Sequence, residues 1–274
     1  MLKTKKQLYI WIGVALVGLA LCVGLILVLC RPATEPEETT AAPTTTVETL
    51  PPPAPNVFTP ADFVYNGDYL TCLAAQSVLG IDVSTHQKEI DWQQVKDAGV
   101  EFVMIRIGYR GSKEGMLYED EWAQTYYEGA KSAGLKVGGY FFSQSITPEE
   151  AVQEAKYALD VIKGWRLEMP LVFDWEIVHE DSRTNVVDAR ILTDCAIAFC
   201  QTVKSEGYYP MIYFNPNQSR KNLYLEELTD YDFWLAMYAE EMTYEYKVDM
   251  WQYTCTGSVP GINGNVDINL YFPY

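Results

Sequence analysis

Eight short apolar runs, rich in β-branched and aromatic residues, recur between residues 78 and 272, and helical patterns separate only the first five of them. The runs are VLGIDVS (78–84), VEFVMIRIGY (100–109), LKVGGYFFS (135–143), MPLVFDWEI (169–177), YYPMIYFN (208–215), DFWLAMY (232–238), KVDMWQYT (247–254) and NVDINLYF (265–272). Strands that alternate with helices predict a parallel sheet, and strands that are apolar throughout predict cover on both faces. Eight of them predict an α/β fold closed into an irregular TIM-like barrel whose last third lacks its helices. The helical stretches carry their own punctuation. Asp91 stands as an N-cap before 92–99, the 119–134 stretch ends at a glycine, Thr147 and Pro148 open 147–164, and the longest stretch, about 184–207, also stops at a glycine.

The residues before this region divide into segments of different kinds. From Leu8 to Cys30 no charge occurs, and as a helix at about 1.5 Å per residue this run would be roughly 34 Å long, enough to cross a bilayer. It is longer than a signal-peptide core, and Leu27, Val28 and Leu29 are not a small-residue cleavage site. A transmembrane anchor over 8–30 is therefore expected, with a cytoplasmic tail over 1–7. Lys3, Lys5 and Lys6 precede the run and only Arg31 follows it closely, which places the N-terminus in the cytoplasm and everything later outside the cell. Residues 31–60 are dominated by Pro, Thr, Ala and Glu and read as an extracellular linker. Residues 61–77 contain two short strand-like pieces around Asn66-Gly67, a hairpin dipeptide, and read as a small extension. The barrel then occupies 78–274.

The formal charge is −17, with 20 basic and 37 acidic residues, and setting aside the four cations of the first 31 residues leaves the remainder near −21. Such a balance argues against nucleic acid as a partner. Two histidines, His86 and His179, are too few for a His-rich zinc site. His86 reads as a loop or polar-network residue, and His179 closely follows the FDWEI run. Of the six cysteines, Cys22 and Cys30 fall in the apolar run. Cys195 and Cys200 are five apart on a helix, roughly 8.7 Å between Cα atoms and beyond disulfide reach. Cys72 with Cys255 stays open as a pair, and buried free thiols are the default expectation.

Carboxylates interrupt the apolar runs at Asp82 (GIDVS), Asp174 and Glu176 (FDWE) and Asp267 (NVDIN). A strand places Asp174 and Glu176 on one side with Cα atoms roughly 6.6 Å apart, and turns Trp175 to the other. Two carboxyls at that range suit glycosidic cleavage, in which one supplies a proton to the leaving oxygen and the other, ionised, supports an oxocarbenium-like centre. A single acid at a strand end more often caps a helix or fixes a loop; four of them within or at the ends of barrel strands point to chemistry.

GIDVSTHQ with Asp82, FDWE with Asp174 and Glu176, MIYFN with Tyr213, FWLAMY with Trp234 and Tyr238, WQY at 251–253 and NVDIN with Asp267 together resemble glycoside hydrolase family 25, the Chalaropsis-type lysozymes or N,O-diacetylmuramidases. The resemblance spans about 78–274. It implies five β/α units followed by three strands, and hydrolysis of the β-1,4 bond between N-acetylmuramic acid and N-acetylglucosamine in peptidoglycan, with no cofactor and no metal. Carried over by position, it implies Glu176 as general acid, Asp174 as the carboxylate that assists at the anomeric centre as nucleophile or by its charge, and Asp82 and Asp267 in the same pocket. Many members have Tyr-His-Phe where this chain has Tyr140-Phe141-Phe142, so Phe141 lacks whatever polar contact that histidine makes.

Tyr109, Tyr140, Tyr213, Tyr238 and Trp251 are the candidate sugar-stacking platforms. The expected protein is a membrane-tethered extracellular muramidase acting on peptidoglycan glycan strands. A catalytically inactive peptidoglycan-binding barrel is the alternative from another class, and a chitinase-like or inverting glycosidase on another polysaccharide is a third reading.

Overall fold

A computed structural model describes residues 50–273. The expected span Leu8–Cys30, the expected cytoplasmic tail and the expected linker up to residue 49 lie outside the described residues. Among the described residues no helix is long and apolar enough to cross a membrane.

The eight apolar runs form the eight strands of a closed sheet. In chain order these are β3 (Val78–Val83), β4 (Phe102–Arg110), β6 (Lys136–Ser143), β7 (Leu171–Trp175), β8 (Pro210–Phe214), β9 (Asp232–Ala236), β10 (Met250–Gly257) and β11 (Val266–Tyr271). A short strand, β5 (Leu117–Glu119), hairpins back onto β4 outside the ring. Neighbours run parallel from β3 through β4, β6, β7, β8 and β9 to β10, and β11 then closes the ring antiparallel to both β10 and β3. A TIM barrel has eight parallel strands, so that part of the expectation is corrected. The eight residues between β10 and β11 are too few for the crossover a parallel return needs, and the chain must turn back as a hairpin.

Five helices lie between the strands: α1 (Trp92–Asp97), α2 (Ala123–Ser132), α3 (Pro148–Val161), α4 (Ala189–Ser205) and α5 (Pro216–Lys221). Their starts follow the sequence signals. Asp91 accepts from the backbone N–H of Gln93 and Gln94, Thr147 from Glu150 with Pro148 at the first helical position, and Asp188 from Ile191. α3 buries Ala151, Ala155 and Ala158 and packs against α4, which buries Ala196, Phe199 and Val203.

Two apolar layers result from strand alternation. Ile105, Val137, Phe173, Ile212 and Leu235 point outward and pack beneath the helices. Phe102, Met104, Val172, Met211 and Met250 point into the barrel and fill its lower half. Gly80 permits this filling, because a Cβ there would stand 2.2 Å from the Phe102 ring.

The 61–77 extension is more than an appendage. Its strands β1 (Phe63–Asn66) and β2 (Tyr69–Cys72) pair around Gly67, whose φ of +67° is the turn conformation glycine permits. Phe63 packs edge-on against Trp251 with ring centroids 5.0 Å apart, and Phe63, Leu70 and Cys72 are buried in the main core. The expected linker end at residue 60 also shifts earlier. Asn56 N–H donates to Glu245 O at 2.9 Å, Lys247 N–H donates to Ala54 O at 2.7 Å, and the Phe58 ring lies 4.9 Å from that of Phe272. Cys72, Cys195, Cys200 and Cys255 are all unpaired; Cys255 is exposed, in contrast to the expectation of buried thiols.

Candidate active site

At the end of the barrel where the parallel strands finish, inward-facing polar residues replace apolar ones and line a pocket of about 210 Å³. Asp82, Asp174, Glu176 and Asp267 all reach it. The register explains their convergence: Asp82 on β3 is opposite Asp267 on β11, and Asp174 on β7 lies between Phe142 on β6 and Tyr213 on β8.

The segment carrying the acid pair is held from behind. Gln144, just past β6, donates its side-chain amide to the backbone carbonyl of Glu176 at 2.6 Å, and Gln218 on α5 donates to the carbonyl of Trp175 at 2.6 Å. Trp175 points away from the pocket, as alternation requires, and donates its indole N–H to Ser145 O at 3.0 Å. Glu176 is thus fixed by its own backbone while its side chain remains in the cleft.

Asp82 sits in a denser network. Its Oδ2 accepts from Gln252 Nε2 and from Asn269 Nδ2, each at 2.8 Å. Asn269 Oδ1 accepts from the Trp234 indole at 2.8 Å, and Gln252 Oε1 accepts from the hydroxyls of Tyr213 at 3.0 Å and Tyr238 at 3.2 Å. Asp174 Oδ1, by contrast, is buried without a hydrogen-bond partner. The cation of the lining is Arg106, whose guanidinium is paired with the buried Asp120 at 2.8 Å.

Crowding and burial hold protons on this cluster. Burial raises the Asp82 carboxyl well above the usual range and Asp267 adds to the rise, while the Asn269 and Gln252 donors oppose it. Asp174 is likewise raised well above its ordinary value by burial, then by Glu176 and Asp82, with Arg106 opposing. Glu176 is raised by burial and then by Asp267, with Asp174 and Tyr213 opposing the rise. Burial pushes Asp267 up to about 6. Such a set keeps at least one carboxylic acid available near neutral pH, the requirement for a general acid.

The aromatic candidates divide. Tyr140, Tyr213 and Tyr238 line the pocket, and Tyr238 is 57% exposed. Tyr109 lines an adjoining hollow of about 470 Å³, joined to the pocket through His86, Arg106 and Phe142, and its ring stacks on Tyr118 at 5.1 Å. Trp251 is corrected: it is fully buried on the outer side of β10, covered by Phe63, with its indole bonded to Met237 O at 2.8 Å. Alternation explains this placement, since Met250 and Gln252 face inward and the residue between them must face out. Trp234 on β9 is the tryptophan of the pocket. Phe141 also faces outward, buried edge-on to Tyr157 at 6.3 Å, so the absent histidine removes nothing from the pocket. Arg106, Gln252 and Asn269 were not among the candidates, although each is a polar residue inside an apolar strand, the signal that singled out Asp82.

A model of glycosyl hydrolases family 25 matches residues 81–262. The chain belongs to this family. The autolytic lysozyme of Clostridium acetobutylicum is 28% identical over 191 residues, 69% of this chain and 54% of its own length. Among solved structures of the family 25 fold, the modular autolysin LytC of Streptococcus pneumoniae, in complex with a synthetic peptidoglycan ligand, is similar with a TM-score of 0.62 and 25% identity, over 72% of this chain and 47% of that one. A lysozyme from Streptomyces coelicolor is similar with a TM-score of 0.58 and 25% identity, over 72% of this chain and 92% of its own. The chain thus spans about half the length of the clostridial and pneumococcal relatives, and the family match runs from within β3 through β10 with Asp82, Asp174 and Glu176, while β11 and Asp267 lie just beyond it.

Proposed function

We propose that this chain is a muramidase that hydrolyses the β-1,4 bond between N-acetylmuramic acid and N-acetylglucosamine in peptidoglycan. The observation that carries the reading is the meeting of Asp174 and Glu176 with Asp82 and Asp267 in one pocket of a family 25 barrel. Glu176 donates a proton to the leaving oxygen. Asp174 stabilises the positive charge that develops at the anomeric carbon, which in turn favours its ionised form against the protonated one that burial favours in the free pocket. Asp82 and Asp267 act through the protonation of that pair, and Tyr140, Tyr213, Tyr238 and Trp234 offer rings against which a sugar can lie.

We further propose that the barrel works outside the cell, held by the Leu8–Cys30 run as a single membrane span with a cytoplasmic N-terminus and displayed on the Pro/Thr/Glu-rich segment. Support comes from the uncharged length of that run and the placement of Lys3, Lys5 and Lys6 before it. Incubation of the full-length protein with purified peptidoglycan tests the chemistry. New reducing ends on N-acetylmuramic acid are expected; new ends on N-acetylglucosamine, or cleavage of chitin alone, would contradict it.

A further inference from the structure

Glu176 stands one residue past the end of β7, and its carbonyl is held by a side chain, the Gln144 amide at 2.6 Å. Gln144 is fully buried and its amide nitrogen also donates to Ser143 O at 2.8 Å. Two carbonyls can only be served by the nitrogen end of the amide, which leaves Oε1 buried with no hydrogen-bond partner among the described residues. The next five residues, 177–181, are all exposed, so core packing does not shape them. The stretch is closed instead at Arg183, whose Nη1 donates to the backbone carbonyl of the same Gln144 at 3.3 Å. Both ends of the stretch from Glu176 to Arg183 therefore meet on one buried residue.

Arg183 is held from three sides. Its Nη2 pairs with Glu150 Oε1 at 2.7 Å, and its backbone N–H donates to Ser112 O at 2.9 Å. On the third side lies Gly115, so close that a Cβ there would stand 2.7 Å from Nη1. The Gly115 carbonyl in turn accepts from Arg110 Nη1 at 2.7 Å, and Arg110 is buried against Glu154. Gln144, Glu150 and Arg183 are not part of the pocket lining, so they are not placed to touch a substrate.

We propose that Arg183 is a positioning residue for the acid: it anchors the exposed stretch after Glu176 to the Gln144 carbonyl and so keeps the Glu176 carboxyl at one place in the cleft. The inference rests on the reading of Glu176 as the proton donor. A proton passes to a leaving oxygen only over hydrogen-bond distance, and the backbone that carries this carboxyl runs straight into five residues without packing of their own. Loss of the anchor lets the stretch swing and takes the carboxyl out of line. That costs contact in the transition state and leaves substrate binding in place.

The test pairs turnover with a measurement that needs none. In Arg183→Ala, kcat on soluble peptidoglycan fragments is expected to fall by about tenfold or more with KM within about twofold of the wild type. Backbone amides of residues 176–182 in the full-length protein should exchange hydrogen faster. Lys113→Ala controls for a general loosening of the same stretch, because Lys113 ties it at the surface through Asp181 at 2.7 Å, both side chains being exposed; its kcat should stay at the wild-type value. Faster exchange in Arg183→Ala with kcat unchanged would make Arg183 a structural tie alone and overturn the proposal. So would unchanged exchange, a rise in KM with kcat intact, or an equal loss of kcat in Lys113→Ala. If Arg183→Ala did not fold, Arg183→Lys decides: one ammonium replaces the two nitrogens that serve Gln144 and Glu150 separately, so a lowered kcat at unchanged KM supports the anchor and a wild-type kcat contradicts it. Absence of peptidoglycan cleavage by the wild type would remove the hydrolase reading, and the exchange comparison of Arg183→Ala with Lys113→Ala would still decide whether Arg183 holds the stretch.

Discussion

Asp82 on β3 and Asp267 on β11 are direct register partners across the antiparallel seam that closes the barrel. The pairing brings two like charges together in a buried place, where their repulsion favours retained protons. Asp267 contributes to the raised proton affinity of Glu176 as well as that of Asp82. In Asp267→Asn that contribution is gone and the Glu176 midpoint falls. The alkaline limb of the kcat/KM profile against pH should therefore move to lower pH, by about one unit. A limb that stays in place, with only the rate reduced, would separate Asp267 from the protonation of the acid.

The same burial makes folding stability depend on pH. Asp267 holds its proton up to about 6 in the folded protein, against an ordinary value of 3.8. A carboxyl whose folded value is raised contributes stability that is fully present below the unfolded value and lost as pH rises through the folded one. Between about pH 4 and 6 the loss from Asp267 alone is on the order of 3 kcal/mol. Thermal unfolding followed across pH 4–7 should show Tm falling over this window, and Asp267→Asn should flatten the fall.

Trp251 belongs to the core and not to the cleft. Trp251→Ala is expected to destabilise the protein by about 3–5 kcal/mol, because it empties the space beneath Phe63 and the β1–β2 hairpin. Denaturant unfolding measures the loss. The KM of the folded fraction for peptidoglycan should be unchanged, in contrast to Trp234→Ala, which alters the pocket wall and removes the donor to Asn269.

The proposed anchor makes a prediction independent of the chemistry. Protease added to intact cells should release the barrel, and the full-length chain should partition with membranes. A mature protein beginning between residues 20 and 60 as the main species would contradict an uncleaved span.

Most of the barrel was legible because strands covered on both faces must be apolar along their whole length, which leaves eight runs that nothing else explains. The hairpin return of β11 was implied by the short interval before it, but apolarity carries no direction. The acid set was legible because a carboxylate in the middle of such a run is costly to bury without a purpose. Gln252 and Asn269 have the same inward position and the same inconsistency with their strands, yet uncharged amides are weaker signals than acids. Trp251 was misplaced for a different reason: an aromatic near a strand end looks like a sugar platform until the strand's alternation is counted. The packing of residues 54–60 could not be read at all, since proline-rich composition describes a free linker and a strap laid along a surface equally well.

The most direct measurement compares the wild type with Glu176→Gln for release of N-acetylmuramic acid reducing ends and for binding to insoluble peptidoglycan, in parallel. The substitution keeps the side-chain shape and removes the transferable proton, so release should fall by about 10²–10⁴-fold while binding is retained. Equal release by both proteins would contradict Glu176 as the acid, and no release by either with binding intact would make the barrel a wall-binding module.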